Sequence, residues 1–145
     1  FDLHYLIIFL LIVNICSSII SNFKFAKFSL KNSTLELACK IKKSKFYGYL
    51  YELDSIEDVK IILNNLKEEN KGYRHIPYAY YFNNTAGKSD DKEPGNISIS
   101  FLNNLERNNL NNHLIAVVRF YGGTKLGASN LSRTYGKCAS TCINK

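Results

Sequence analysis

The chain has 145 residues and a mass of 16.6 kDa, with 46% hydrophobic and 21% charged residues. This hydrophobic share excludes a disordered tail, and the length corresponds to one globular domain. No repeat with a period of about 20 to 50 residues recurs, which excludes solenoids and propellers.

The net charge of +7 is unevenly distributed along the chain. Residues 24–49 carry seven Lys and one Glu, whereas residues 113–145 carry five basic residues and no acidic one. A basic end favours an anionic partner such as nucleic acid, although a bias toward Lys and Asn also arises from solubility or from genome composition. Because the chain has fifteen Lys and only four Arg, Arg119 and Arg133 are expected where a flat, forked cation is needed.

The N-terminal segment begins with an apolar run, residues 3–20, that contains no charged side chain. Three interpretations stay open: a signal-peptide core or membrane anchor, a two-part organelle-targeting leader, or a segment that is not native, since the chain begins at Phe1 and lacks Met. We exclude residues 1–30 from the predicted fold and assign residues 35–145 to one domain. A cytoplasmic location is expected, with an organelle or a membrane contact only if the leader or anchor is real.

The first half of the domain predicts two strands and a helix. Residues 35–53 alternate between apolar and polar side chains with a break near residues 43–45, which predicts two strands. Ser55 and Asp58 resemble a capping box. Apolar residues then recur at helical spacing as far as Gly72, namely Ile56, Val59, Ile62, Leu63 and Leu66.

The second half predicts alternating strands and helices. The aromatic residues 76–82 predict a strand, residues 83–96 a polar loop, and residues 114–120 an apolar inner strand. A helix between them is predicted from Ile99, Leu102 and Leu105. The last helix begins after Gly127, and its buried stripe is predicted to be Ala128, Leu131, Tyr135, Cys138 and Cys142. Its opposite face presents Asn130, Arg133 and Lys137.

This order of elements predicts an α+β fold, a two-layer sandwich in which helices cover one face of a mainly antiparallel or mixed sheet. The four cysteines form no CxxC pair, and the three histidines are distant from them in sequence, so we predict neither a metal nor a cofactor. Cys138 and Cys142 are expected to be buried thiols.

The most distinctive motif is RFYGGTKLGASNLSR, residues 119–133. An apolar strand runs into two glycines, a lysine and a third glycine before the last helix begins. Such a segment can hold an anion if its backbone amides and the helix N-terminus point outward. The alternative interpretation is that the glycines only permit a tight turn. The predicted anion-binding residues are Arg119, Gly122, Gly123, Lys125, Gly127, Arg133 and Lys137.

A second motif is SDDKEP, residues 89–94. Asp90, Asp91 and Glu93 are candidates for binding Mg²⁺, for acid–base catalysis, or for pairing with an arginine of the glycine-rich motif. A solvated acidic loop or a helix cap is the simpler alternative. His75 is a candidate proton carrier, and its alternative is a hydrogen-bonded packing residue.

Together these motifs resemble the IMPACT/YigZ family, also called the Impact N-terminal domain. The similarity rests on four segments in the family's order: KSKFYGY (43–49), RHIPYAY (74–80), SDDKEP (89–94) and VVRFYGGTKLG with LSRTYG (117–136). The chain departs from the family within residues 89–99, which read SDDKEPGNISI where the family reads SDDGEPSGTAG. It also has Ser129 and Asn130 where the family has glycines.

The resemblance implies a fold like the second domain of ribosomal protein S-five. It also implies a translation-regulating role, in which eukaryotic relatives bind a scaffold protein that activates the starvation-responsive kinase of initiation factor two. We therefore expect a non-enzymatic domain whose partner is RNA, the ribosome or such a scaffold protein. The alternative is an enzyme that acts on a phosphorylated substrate beside the glycine-rich loop, with Asp90, Asp91 or His75 as catalytic groups.

Overall fold

The computed structural model describes residues 4, 6–8, 37–41 and 43–144, with only the backbone for residues 37–41. The chain divides into two compact units, Phe1–Lys31 and Asn32–Lys145. In the first unit, residues 4 and 6–8 are helical, and the rest of the predicted leader lies outside the described residues. Among the described residues, no helix combines the length and the apolar character that crossing a bilayer requires.

The second unit contains the predicted order of strands and helices plus one further strand. In chain order, the described elements are β1 (Leu37–Ile41), β2 (Ser44–Glu52), α1 (Glu57–Glu69), β3 (Tyr78–Phe82), β4 (Thr85–Ser89), α2 (Ile97–Arg107), β5 (His113–Phe120) and α3 (Ala128–Ile143). At the start of α1, the Asp58 carboxylate accepts hydrogen bonds from the amides of Asp54 and Ser55, the acidic half of a capping box.

Strand β4 lies in the segment that was predicted to be a loop, so that prediction is wrong for residues 85–89. It pairs with β3 through a two-residue turn, in which Asn83 and Asn84 both adopt positive φ angles of 48° and 61°. Asn tolerates this left-handed conformation, which two-residue hairpin turns require. The strand is polar because most of its residues are exposed, and it therefore lacks the apolar alternation by which strands are recognised.

The five strands form one sheet in the order β1-β2-β5-β3-β4, and each neighbouring pair of the described strands is antiparallel. The α+β class is confirmed. Two arrangements were expected, and of these the mixed sheet is wrong. The connections through α1 and α2 join strands that are separated by another strand, so no two neighbouring strands among those described are parallel.

Helices α2 and α3 cover one face of the sheet and enclose the main apolar core. Phe46 and Leu50 of β2, together with Ile115 and Val117 of β5, point into this core. The ring of Tyr135 packs edge-on against Phe46 at 5.1 Å and contacts Phe101 at 6.2 Å. Further buried members come from the last helix, namely Leu131, Cys138, Ala139 and Cys142, which confirms the predicted stripe except for the exposed Ala128.

Helix α1 contributes to a second group of buried residues. Its Val59, Ile62 and Leu66 are buried, but none of them belongs to the core under α2 and α3. Strand residues that point away from that core are buried as well, namely Tyr49, Tyr51, Leu114, Ala116 and Val118. Since neighbouring side chains along a strand point to opposite faces, these strand residues are buried on the other side of the sheet. Strand β5 is therefore enclosed on both faces.

Gly122 brings the chain after β5 against the turn between β1 and β2. A Cβ atom at this position would lie 2.2 Å from the carbonyl carbon of Lys43, and the Gly122 amide donates a 3.2 Å hydrogen bond to Ser44 Oγ. Gly136, by contrast, lies within α3, where a Cβ atom would meet Ser100 Oγ at an ordinary 3.5 Å.

We expect Gly122→Ala to lower the free energy of unfolding by about 1–3 kcal/mol, because backbone atoms must move to admit the methyl group. Gly136→Ala is the matched control, and it should raise the free energy of unfolding by about 0.5–1 kcal/mol through helix propensity. Urea denaturation of both variants measures the difference, and a Gly122→Ala variant as stable as the natural chain would contradict the close approach.

Candidate functional site

The glycine-rich loop connects β5 to α3 and is largely open to solvent. Gly123 and Gly127 adopt positive φ angles of 91° and 78°, and among the described residues other than their chain neighbours no heavy atom lies within 4 Å of a Cβ atom built on either. Such angles favour glycine, so these two residues shape a turn that an L side chain would strain. Gly122 differs, because its amide points inward to Ser44.

The start of α3 is uncapped. Gly127 is its N-cap residue, no side chain caps this end, and the first turn contains no acidic residue. Within the described part of the chain, none of the backbone amides of residues 123–130 donates a hydrogen bond. Free amides at a helix N-terminus, together with the helix dipole, carry a partial positive charge of about half an elementary unit.

Three predicted cations lie on the surface beside this helix start. Lys125 is exposed in the loop, and Arg133 and Lys137 are exposed on α3 at a spacing of one helical turn. Asn130 lies on the same face, and its side-chain amide donates a 2.9 Å hydrogen bond to the Leu126 carbonyl. The polar face that the sequence predicted is therefore confirmed.

Arg119 occupies a different environment from the one expected for an anion-binding cation. It is only 6% exposed, and its Nη1 donates a 2.8 Å hydrogen bond to Glu93 Oε1. The guanidinium also lies 5.9 Å from the ring centroid of Phe46 and 5.8 Å from that of Tyr121. Its charge is balanced inside the domain, so the expectation that Arg119 presents a free cation to a partner is corrected.

Glu93 is the centre of a buried polar cluster, and its own side chain is only 2% exposed. One carboxylate oxygen accepts from Arg119, and the other accepts from the Tyr135 hydroxyl. Burial and the hydrogen bond to Glu93 raise the pKa of Tyr135 well above its usual value near 10. The hydroxyl therefore keeps its proton and remains a donor, and the predicted pairing of the acidic loop with Arg119 is confirmed.

His75 lies at the edge of this cluster. Its Nδ1 lies 2.7 Å from the Asp91 backbone carbonyl, to which it donates, and its Nε2 lies 3.9 Å from Glu93 Oε2. The backbone at His75 bridges to Arg119 of β5, with a 2.9 Å hydrogen bond from the Arg119 amide to the His75 carbonyl. The ring is therefore hydrogen-bonded to the acidic loop and lies close to the Glu93 carboxylate.

Asp90 and Asp91 also have partners within the domain. The Asp90 carboxylate accepts from the backbone amide and the hydroxyl of Ser98, at 2.7 and 2.6 Å, in the first turn of α2. The Asp91 carboxylate accepts from the Ile76 amide at 2.7 Å. The helix-cap interpretation is confirmed for Asp90. Among the described residues, no cluster of three or more His, Cys, Asp or Glu is arranged to hold a metal ion.

The fold brings the acidic loop and the glycine-rich motif together, as the sequence analysis anticipated. A Cβ atom at Gly95 would lie 3.6 Å from the Ala128 carbonyl oxygen, so the acidic loop lies against the first turn of α3. The sequence analysis missed that Tyr135, one of the apolar stripe residues, donates to Glu93. The sequence did contain a sign of this hydrogen bond. Tyr135 lies in a stripe predicted to be buried, and the hydroxyl of a buried Tyr needs a hydrogen-bond partner.

Removing either partner of the buried ion pair should be costly. We expect Glu93→Leu and Arg119→Met each to lower the free energy of unfolding by about 3–5 kcal/mol, because each leaves a buried group without its partner. The double variant Glu93→Leu, Arg119→Met should lose much less than the sum of the single losses. Guanidinium denaturation provides the measurement, and additive losses would show that the pair is not coupled.

The raised pKa of Tyr135 makes stability depend on pH in the alkaline range. Below pH 10 the phenol is protonated in both the folded and unfolded states, whereas above pH 10 only the unfolded state loses the proton. This single group should therefore lower the free energy of unfolding by about 1.4 kcal/mol per pH unit above pH 10. Tyr135→Phe removes the titrating phenol. Urea denaturation between about pH 9 and 11 should therefore show a smaller fall in the free energy of unfolding with pH for this variant than for the natural chain. Equal slopes would show that Tyr135 is not responsible for the alkaline fall.

Comparisons with known proteins agree with this geometry. Residues 42–143 match the family model of the Impact N-terminal domain. An IMPACT family member of Haemophilus influenzae is 32% identical over 117 residues, which cover 77% of this chain and 57% of the relative. The IMPACT family member YigZ of Escherichia coli is 32% identical over 102 residues, which cover 66% of this chain and 50% of the relative.

A solved structure, described as that of a hypothetical protein, superposes with a TM-score of 0.71 at 28% identity and covers 76% of this chain and 56% of its own. The chain spans about half the length of the curated relatives that it matches. Because the family model covers most of the chain, the chain belongs to the IMPACT family and carries its Impact N-terminal domain.

Proposed function

We propose that this domain is a non-enzymatic, translation-associated RNA-binding domain. Its RNA contact runs over the glycine-rich loop and the exposed face of α3. The observation that carries the proposal is the uncapped helix start beside exposed Lys125, Arg133 and Lys137. Free amides and cations on one surface suit the phosphate oxygens of RNA, which accept hydrogen bonds and carry negative charge.

The distribution of charge supports an anionic partner. Residues 113–145 contain five basic residues and no acidic one, and Arg119 among them is neutralised by Glu93. Lys125, Arg133 and Lys137 are exposed, and the same segment contains no acid that could compensate their charge. Membership of the IMPACT family supports the translation-related part of the proposal, and a ribosome or a translation-regulating scaffold protein is the corresponding partner in the cell.

An enzyme that acts on a phosphorylated substrate is less well supported. The candidate acids and base, Asp90, Asp91 and His75, each hold part of the backbone in place through short hydrogen bonds. A catalytic group must be available to its substrate, whereas these three side chains already bind the chain around them. The geometry therefore favours binding over catalysis.

We expect Lys125→Ala combined with Arg133→Ala to weaken RNA binding and to reduce its salt dependence. For single-stranded RNA, each lost phosphate contact should lower the slope of log affinity against log salt by about 0.7. Fluorescence anisotropy with a labelled RNA between about 50 and 200 mM salt provides the measurement. Lys60→Ala is the matched control, since it removes an exposed charge from α1 and should leave the slope unchanged.

RNA affinity that is independent of salt, or that survives the double substitution, would overturn the proposal. Cross-linking in cells, followed by identification of the bound RNA and protein, separates direct RNA contact from contact with a scaffold protein. Recovery of protein partners without RNA at the glycine-rich loop would favour the protein–protein role.

A further inference from the structure

A second surface lies beside the glycine-rich loop, and we call it the aromatic patch. It is an open depression of about 290 Å³ lined by Lys43, Lys45, Tyr47, Phe120 and Tyr121. None of these residues belongs to the anion-binding set expected from the sequence. Among the described residues, the lining contains two ammonium groups, three aromatic rings and no carboxylate.

Strand register builds the patch at one end of β2 and β5. Lys45 pairs with Phe120 across the two antiparallel strands, and Tyr47 pairs with Val118. Since alternate residues of a strand share a face, Lys45, Tyr47 and Phe120 lie on the same side of the sheet. The rings of Tyr47 and Phe120 pack edge-on with centroids 5.8 Å apart, which fixes their positions.

The outer part of the patch is accessible. Tyr121 is 39% exposed, and it is among the few large hydrophobic side chains of the described chain that reach this exposure. Lys43 and Lys45 are exposed, and the guanidinium of exposed Arg74 lies 5.4 Å from the Tyr121 ring centroid. Two exposed lysines therefore line the depression, and a third exposed cation, Arg74, lies beside the Tyr121 ring.

The aromatic patch lies next to the start of the glycine-rich loop. The close approach at Gly122 places the loop directly against Lys43 and Ser44 of the β1–β2 turn. Tyr121 precedes the loop in sequence, and Lys125 lies within it. An RNA strand that contacts the loop can therefore reach the exposed ring of Tyr121.

Aromatic rings interleaved with cations are suited to unpaired nucleotides. A base stacks on an exposed ring while neighbouring cations neutralise its phosphates, and this contact is available only when the base is not stacked within a duplex. The centres of protein interfaces are depleted of lysine, whereas two lysines line this depression. Charge complementarity therefore favours a nucleic acid.

We propose that the aromatic patch binds single-stranded RNA by stacking a base on Tyr121, with Lys43, Lys45 and Arg74 contacting the adjacent phosphates. The domain then prefers single-stranded RNA to duplex RNA. This inference rests on the proposed function, because it names the form of RNA that the loop and the patch bind together.

The test compares Tyr121→Leu with Tyr121→Phe on two probes. The probes are a labelled single-stranded RNA of about 12 nucleotides and the same strand annealed to its complement. Tyr121→Leu should weaken binding of the single strand about five- to tenfold, as loss of one stacked base implies, and should leave duplex binding unchanged. Tyr121→Phe keeps the ring and should retain the affinity of the natural chain.

A second set of variants tests the cations. Lys43→Ala and Lys45→Ala should each lower the salt slope for the single strand by about 0.7, whereas Lys67→Ala, an exposed position on α1, should not change it. Urea denaturation of the Tyr121 variants checks the fold, because Tyr121 also lies next to the buried Arg119.

The outcomes separate this inference from the proposed function. If Tyr121→Leu binds the single strand normally while the Lys125, Arg133 double variant does not, the aromatic patch is not a stacking site and the proposed function stands. An equal loss on single strand and duplex would also overturn the stacking inference. If the natural chain binds neither probe, the proposed function itself is overturned.

Discussion

The arrangement of the site depends on one buried carboxylate. Glu93 comes from the loop between β4 and α2, its ion-pair partner Arg119 comes from β5, and its hydroxyl partner Tyr135 comes from α3. Because burial of a charge is costly unless it is paired and hydrogen-bonded, these three segments are held in one geometry. The glycine-rich loop runs directly from Arg119 to the helix that carries Tyr135, so both of its ends are fixed by the same carboxylate.

The glycine-rich motif and the helix that follows it contain two kinds of cation, one buried and the others exposed. Arg119 is turned inward, where a planar guanidinium can both pair with Glu93 and lie against the rings of Phe46 and Tyr121. Lys125, Arg133 and Lys137 are exposed, and within the part of the chain that the structure describes they form no ion pair. The motif therefore combines a structural half with a half that is available to a partner.

The acidic loop has a similar structural task on the other side of the cluster. Asp90 caps the start of α2, and Asp91 holds the segment that leads into β3. Through these contacts the loop aligns a helix, a strand and the buried pair. It thereby supports the surface formed by the glycine-rich loop, and it does not itself present carboxylates that would repel an anionic partner there.

The sequence by itself determined the α+β class, the three helices, four of the five strands and the exposed cationic face of α3, because local periodicity records which side of an element is buried. It did not determine β4, whose polar residues carry no such periodicity. Only the tertiary structure decided that Arg119 is buried, that Tyr135 donates to Glu93, and that Lys43 lies beside Gly122. These contacts join residues that are distant along the chain, and their pairing depends on strand register and sheet order, which local sequence patterns do not encode.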